Sequence, residues 1–516
     1  MTYDAAATEF RHASLLRVLG VGTLLLLCAA CDLNFGSSGR FRPALPQPNP
    51  SDPPSRIARL SYLDGPVSFR AAGSSVWTPA VLNRPVTTGD ELWTSADARA
   101  ELHLGFTAIR LDGGTDFGVL ELSDNAFQAK LTQGVIRFTV RRLEHGDAFE
   151  IDTPNAAITP SQPGEYRVEV GRKANTTEVI VRAGEAEVTN PKLAFEIAGG
   201  QQARVDHTKL MGRNVTPAPQ ADRFDQFCQM RDHLQEHAES QRYVSSGVIG
   251  AYDLDDCGIW LTSPTLGAYW TPRCVAAGWA PYRFGRWAWI EPWGWTWIDD
   301  APWGFAPFHY GRWALLDEAW SWIPGPARGQ AVFAPALVVF VGATRLGNAA
   351  VAWFPLAPKE VYVPAYRASL RYITNLNPMA ENLSTIEPTI LPRQQYANRL
   401  APDAITAVPR TVFTSGRPVE GSILVLESRD AALAQVTASF PPLVPEAESL
   451  SGRVPGGVRV AQPPQGSSQR QVVLRRSPVS APVPFESRLP LLEAHPGQPL
   501  DRETEEQLRK GQEPER

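Results

Sequence analysis

Twelve of the chain's fifteen tryptophans fall between Trp260 and Trp322, in three imperfect copies of one unit: GIWLTSPTLGAYW (258–270), GRWAWIEPWGWTWI (285–298) and GRWALLDEAWSWI (311–323). Indoles at this density either pack on one another as a core or lie out as an aromatic surface. The copies recur about every 26 residues, the length of one supersecondary unit stacked on its neighbours. Within a copy the period is two: Trp287 and Trp289 alternate with Arg286, Ala288 and Ile290, and Trp295 and Trp297 with Gly294, Thr296 and Ile298. That is strand periodicity. Glu291-Pro292-Trp293-Gly294 between the runs supplies a preset φ and a residue tolerant of positive φ, so each copy reads as a β-hairpin with Trp287/Trp289 facing Trp295/Trp297. A lone hairpin is marginal in water, so the copies must pack together.

The first thirty-one residues read as an address. Arg11 and Arg17 precede an apolar run from Val18 to Ala30. That run is short of the roughly 20 residues a membrane span needs, which makes 1–31 a cleaved signal peptide. Leu27-Cys28-Ala29-Ala30-Cys31 resembles a lipobox, with Cys28 where an aliphatic residue is commoner, and implies lipidation of Cys31. Residues 32–56, rich in Gly, Ser, Asn and Pro, then read as a flexible tether. The expected location is the periplasm, anchored to a membrane by that lipid, with inner and outer membrane both open.

Three further cysteines, Cys228, Cys257 and Cys274, allow at most one internal disulfide. Cys257 and Cys274 flank the first repeat, where a bridge would close the hairpin; Cys228 with Cys257 is the competing pair. A formal net charge of -5 gives no electrostatic reason to expect a nucleic acid partner.

Residues 57–210 have an all-β texture, with short alternating runs such as Val135-Ile136-Arg137-Phe138-Thr139-Val140 broken by Gly-containing turns. Thr88-Gly89-Asp90-Glu91-Leu92, Ala98-Arg99-Ala100-Glu101-Leu102, Leu131-Thr132-Gln133-Gly134, Phe149 to Ala156, Val179 to Glu185 and Ala198-Gly199-Gly200-Gln201-Gln202 follow in order. Together they resemble the periplasmic FecR domain. In that family the founding member passes a signal from an outer-membrane transporter to a cytoplasmic sigma factor. That role needs a sigma-binding segment and a lasting transmembrane helix, for which the seventeen residues before the apolar run leave no room, so the resemblance implies a fold and an envelope setting rather than sigma regulation.

A linking helix is expected within 218–245. Phe224, Phe227, Met230 or Arg231, and Leu234 recur at three- to four-residue spacing, with acids early and Arg242 late. His233-Leu234-Gln235-Glu236-His237 matches the H-x-x-E-H string of some zinc peptidases, but a charged connecting helix produces such strings without metal, and no metal or other cofactor is expected. Residues 246–378, the Trp block with flanks such as Trp353-Phe354-Pro355-Leu356-Ala357-Pro358, resemble a tryptophan-rich domain that often follows FecR domains and whose own function is unknown. Residues 379–516, rich in Pro, Ser, Arg, Gln and Glu, read as a mostly disordered tail. Within it, 394–433 holds one or two candidate strands and the end LDRETEEQLRK a candidate helical turn. The expected fold is therefore mainly β.

The sequence carries no nucleophile elbow, phosphate loop or dinucleotide fingerprint. Asp299-Asp300 and Asp253, Asp255 and Asp256 read as turn residues rather than paired catalytic carboxylates. No enzyme is expected. One reading is a protein-interaction, scaffold or sensing module partnered by envelope proteins. The alternative is a glycan or peptidoglycan binder that stacks sugars on Trp293, Trp303 and Trp320, with Arg286 and Arg312 alongside. Burial of those tryptophans separates the two.

Overall fold

The computed structural model describes residues 52–173, 176–206, 215–342, 349–380, 383, 395–426, 435–451 and 460–512, and in it the three repeats are the three hairpins that the period-two pattern predicts. Gly258–Ser263 pairs with Gly267–Pro272, Gly285–Ile290 with Gly294–Asp299, and Arg312–Leu316 with Ala319–Ile323. Trp287 sits opposite Trp297 and Trp289 opposite Trp295. The first and third hairpins join through Trp270 and Trp322 into one four-stranded sheet. The repeated Gly-x-Trp start has a steric cause. A Cβ on Gly258 would collide with the indole of Trp270, and one on Gly285 or Gly311 with the Ile298 or Ile323 carbonyl and then the indole of Trp297 or Trp322, so each glycine leaves room for an indole from the opposite strand.

The first β domain runs from Ala58–Asp64 to Gln201–Asp206 in two sheets that share one long strand, Ala126–Val140. Its first half pairs with Asp116–Leu122 and, in parallel, with Ala148–Asp152; its second half pairs with Thr107–Leu111 and Gly164–Val170. Ile136, Phe138 and Val140 alternate inward to the core, which puts Arg137 on the outer face. There the register lines up Glu101, Arg110, Arg137 and Arg167 on four neighbouring strands.

That row decides how the helix packs. The helix spans Arg223–Glu236, shorter than expected, and starts at a capping box between Asp222 and Asp225. Its buried residues are Phe224, Asp225, Cys228, Asp232 and Gln235, whereas Met230 and Leu234 are 54% and 52% exposed. Of the residues read from the spacing, Phe224 is buried and Phe227 and Arg231 are half-buried against Tyr62 and Glu101, while Met230 and Leu234 turn outward and acids share the docked face. Asp232 pairs with Arg110 at 3.0 Å and Arg141 at 2.8 Å, while Asp225 pairs with Arg182 at 2.7 Å and Arg167 at 3.2 Å. Buried guanidinium groups need counterions more than a half-covered methionine needs burial.

The Trp-rich part is not separated from the first domain by a free linker. Arg59, fully buried, pairs with Asp253 and donates to Asn83 Oδ1 and to the Pro302 carbonyl; Asn83 donates in turn to the Asp299 and Ala301 carbonyls. One cluster of buried apolar side chains runs from Ile57 through the tryptophans to Leu500.

The tail departs most from expectation. Thr406–Pro409 and Gln435–Ala438 flank Ala350–Pro355 and Val338–Gly342 as the outer strands of a four-stranded sheet. Helices follow at Phe485–Ala494 and Arg502–Gln512. Phe485 is buried and donates its amide to the Gly73 carbonyl in the first domain at 3.0 Å. The segment shows no periodicity because each stretch bonds to a different distant partner. The described end of the tether is docked too: Asp52 accepts from the Ser369 amide and hydroxyl, and Asp124 accepts the Ser55 amide. Cys31, the signal peptide and the rest of the tether lie outside the described residues. Among the described residues no helix is long and apolar enough to cross a membrane.

Candidate functional site

The residues proposed to stack sugars do not form a surface. Trp293, Trp303 and Trp320 are 2%, 1% and 7% exposed. Trp293 packs edge-on against Phe333, and Trp303 against Trp270, Trp279 and Phe308. Arg312 is buried and donates to the Glu360 and Gly311 carbonyls and to Asn377 Oδ1. Arg286 lies beside Asp300 at 3.4 Å. Turn positions look exposed in a sequence, but these turns fold onto neighbouring segments and their indoles become core.

The carboxylates near the aromatic block are structural. Asp299 accepts from the Ala301 amide at 3.0 Å and the Trp297 indole at 3.1 Å, and Asp255 accepts from the Glu239 and Ser240 amides. His233 and His237 lie with ring centroids 4.0 Å apart and planes tilted by 38°. Among the described residues no group of three or more His, Cys, Asp or Glu side chains is arranged to hold a metal ion.

Cys257 and Cys274 meet at the base of the first hairpin as free thiols, with the Cys274 amide 3.4 Å from the Cys257 carbonyl. Burial, and then the adjacent Cys274, raise the Cys257 thiol. Cys228 is fully buried on the docked face of the helix, and burial pushes its thiol up to about 12. Alkylation of the native protein is therefore expected to spare Cys228 until the chain unfolds. Oxidation should join Cys257 to Cys274, read by peptide mapping under non-reducing conditions; a bridge to Cys228 would contradict this geometry.

A different constellation stands out on the first domain. Cross-strand register places Glu121, Gln128 and Glu150 in one row, and Glu91, Gly118, Lys130 and Asp152 in the next. Asp116 and Glu187 extend the face at its margins. Such side chains normally end in water, yet Asp116, Glu121, Gln128 and Asp152 are 1%, 6%, 1% and 0% exposed. Burial raises the Asp116 carboxyl, and burial together with Glu150 raises that of Asp152.

The cover is the chain's own segment 467–476. Ser467 and Ser468 donate to Asp116 Oδ2, and Lys130 Nζ donates to the Ser468 carbonyl at 2.9 Å. The Val473 amide bonds the Thr153 carbonyl, and the Arg475 and Arg476 amides both reach Glu150 Oε1 at 2.9 and 3.2 Å. Gln128 Nε2 donates to the Arg476 carbonyl at 2.9 Å. Arg475 pairs with Glu187 at 2.7 Å and Arg476 with Glu121 at 2.9 Å. Beside this seat, Arg70, Trp77 and residues 462–466, 468 and 469 line a cavity of about 180 Å³. Sequence reasoning missed the face because alternating acids on a strand look like any solvated surface; the only signal was the Arg475-Arg476 pair in the tail.

Comparison with known proteins gives likenesses to parts of the chain. Residues 251–360 match the model of a family of unknown function, DUF6600. No curated protein matches the chain. Two crystal structures, each of a proposed anti-sigma factor from Parabacteroides distasonis ATCC 8503, are similar to part of it. The first is 20% identical and covers 27% of this chain and 64% of its own length; the second is 18% identical and covers 28% and 71%; both have a TM-score of 0.23. This chain thus spans a little under two thirds of the first of these structures. The tryptophan hairpins lie within the stretch that is similar to the DUF6600 family.

Proposed function

We propose that the chain is a non-enzymatic protein-interaction module of the cell envelope, exported and held at a membrane by lipid on Cys31. In this reading the carboxylate face of the first β domain receives an extended polypeptide segment, and the Trp-rich part is its rigid support. One observation carries the proposal: the face already holds a segment of chain through backbone amides, carbonyls and two arginine head groups. Sheet faces and edges recognise extended chains by this combination of main-chain bonds and side-chain pairing. Sugar stacking on Trp293, Trp303 and Trp320 is not favoured, since their ring faces are occupied by other side chains.

Photo-crosslinking in cells tests the proposal, with a photoreactive side chain in place of Leu474, which is 44% exposed on the segment over the face. A discrete adduct with another envelope protein is expected. Adducts confined to peptidoglycan or to the chain itself would count against the reading.

A further inference from the structure

The segment that covers the carboxylate face fits it incompletely. Beneath it Asp116 Oδ1, Glu121 Oε2, Gln128 Oε1 and Asp152 Oδ1 are buried without a hydrogen-bond partner. These are four acceptors on one face, on side chains all more than nine-tenths buried. Native proteins seldom leave such atoms orphaned. The segment is held by many polar contacts, but most of them lie near the surface. Of residues 467–476 only Ser467 is buried, and the side chains of Arg475 and Arg476 are 44% and 41% exposed in their ion pairs. Ion pairs that open to solvent hold little. The face therefore offers more acceptors than its own tail supplies donors.

Resting on the interaction reading above, we propose that this face is a recognition groove for an extended, arginine-bearing segment of a partner protein. Residues 467–476 act as an internal placeholder that the partner displaces. The complementarity is one of charge. The acidic and amide side chains stand in rows across adjacent strands, Glu121 beside Gln128 and Gln128 beside Glu150, with Asp152 beside Lys130 in the next row. A guanidinium offers five donors in a planar fork, so a segment with more arginines meets oxygens that the serines and main-chain amides of the tail leave bare. The raised Asp152 carboxyl agrees with a face short of positive charge. Because the placeholder is covalently attached, it competes at high effective concentration, and only a segment that pairs more of these acceptors overcomes it.

The test uses the full-length chain and a fluorescent synthetic peptide of residues 467–476, read by anisotropy. Arg475→Glu with Arg476→Glu in the chain should unseat the tail without unfolding the body, since both head groups are partly exposed. That variant is expected to bind the peptide at least tenfold more tightly than the unchanged chain. Adding Glu121→Gln and Glu150→Gln to it should abolish binding, and a peptide carrying the two glutamates should not bind. Hydrogen exchange over 467–476 verifies release. Equal binding by both chains, or no binding by a variant whose segment has been released, would overturn the inference. So would concentration-dependent self-association through exchanged tails, which would make the occupant a second copy. Should the Leu474 crosslink to a partner succeed while the peptide fails, arginine recognition alone falls; if the crosslink fails, the interaction reading falls with it.

Discussion

Replacing Trp287 by alanine is expected to cost about 3–5 kcal/mol of stability, the range for deleting a large aromatic from a close-packed core. Trp287 is 1% exposed, and its ring lies 5.1–5.5 Å, centroid to centroid, from those of Trp297, Phe340, Trp353 and Phe413. Its indole nitrogen has no hydrogen-bond partner, so the loss is one of packing and apolar burial rather than of a polar contact. Phe413 comes from the tail and Phe340 and Trp353 from the sheet that the tail completes, so the cavity opens where three stretches of chain meet. Urea unfolding followed by far-ultraviolet circular dichroism measures the effect without relying on the crowded tryptophan emission. A loss below about 1 kcal/mol would mean that the indoles are surface rather than core.

Glu101→Gln is expected to have an effect of similar size, by a different cause. Glu101 is fully buried and accepts from Arg110 at 2.7 Å, Arg231 at 2.8 Å, Ser61 at 2.8 Å and Tyr252 at 3.2 Å. Burial alone would push its carboxyl up, but Arg110 and Arg231, with the Ser61 hydroxyl, outweigh it and hold Glu101 well below the usual carboxylate range. Removing the charge takes the counterion from Arg231 and leaves Arg110 with Asp232 alone, a loss of about 3–5 kcal/mol at neutral pH. A carboxylate whose pKa is depressed by folding contributes stability that is present above its unfolded value, near 4.3, and disappears as pH falls through the lower folded value. The gap between the two proteins should therefore be full at pH 7 and narrow below about pH 4. A gap independent of pH would assign the loss to shape rather than charge.

What was legible in the sequence was local. The hairpins could be read because period two, the Pro-Trp-Gly turns and the Gly-x-Trp starts all lie within one repeat. The all-β texture of the first domain was readable for the same reason, and the existence of the helix followed from its spacing and acidic start. Its docked face was not, because Asp225 and Asp232 are buried by Arg110, Arg137, Arg141, Arg167 and Arg182, residues on strands far back in the chain. Of the tail, the strand Thr406–Pro409 and the helix Arg502–Gln512 fall where candidates were read, but the rest of its order was invisible for a stronger form of that reason: Ser467 meets Asp116, 351 residues away. Composition reports what a segment can bury by itself, and this tail buries little until another part of the chain supplies the surface. The carboxylate face escaped notice likewise, since nothing local distinguishes a solvated acid from a covered one.

The closing contacts of the tail also govern when the molecule can become itself. Gly73 and Gly89, near the start of the first domain, lie against Val483, Pro482 and Arg488, and the sheet behind the tryptophans has both its outer strands from beyond residue 400. In a chain emerging amino end first, these contacts to the first domain and to the sheet form only after residues 406–488 have emerged. Loss of those residues would leave unsealed apolar surface and unpaired strand edges, the features by which proteases and chaperones pick out unfinished proteins. Residues 406–488 thus act as a late seal on what precedes them.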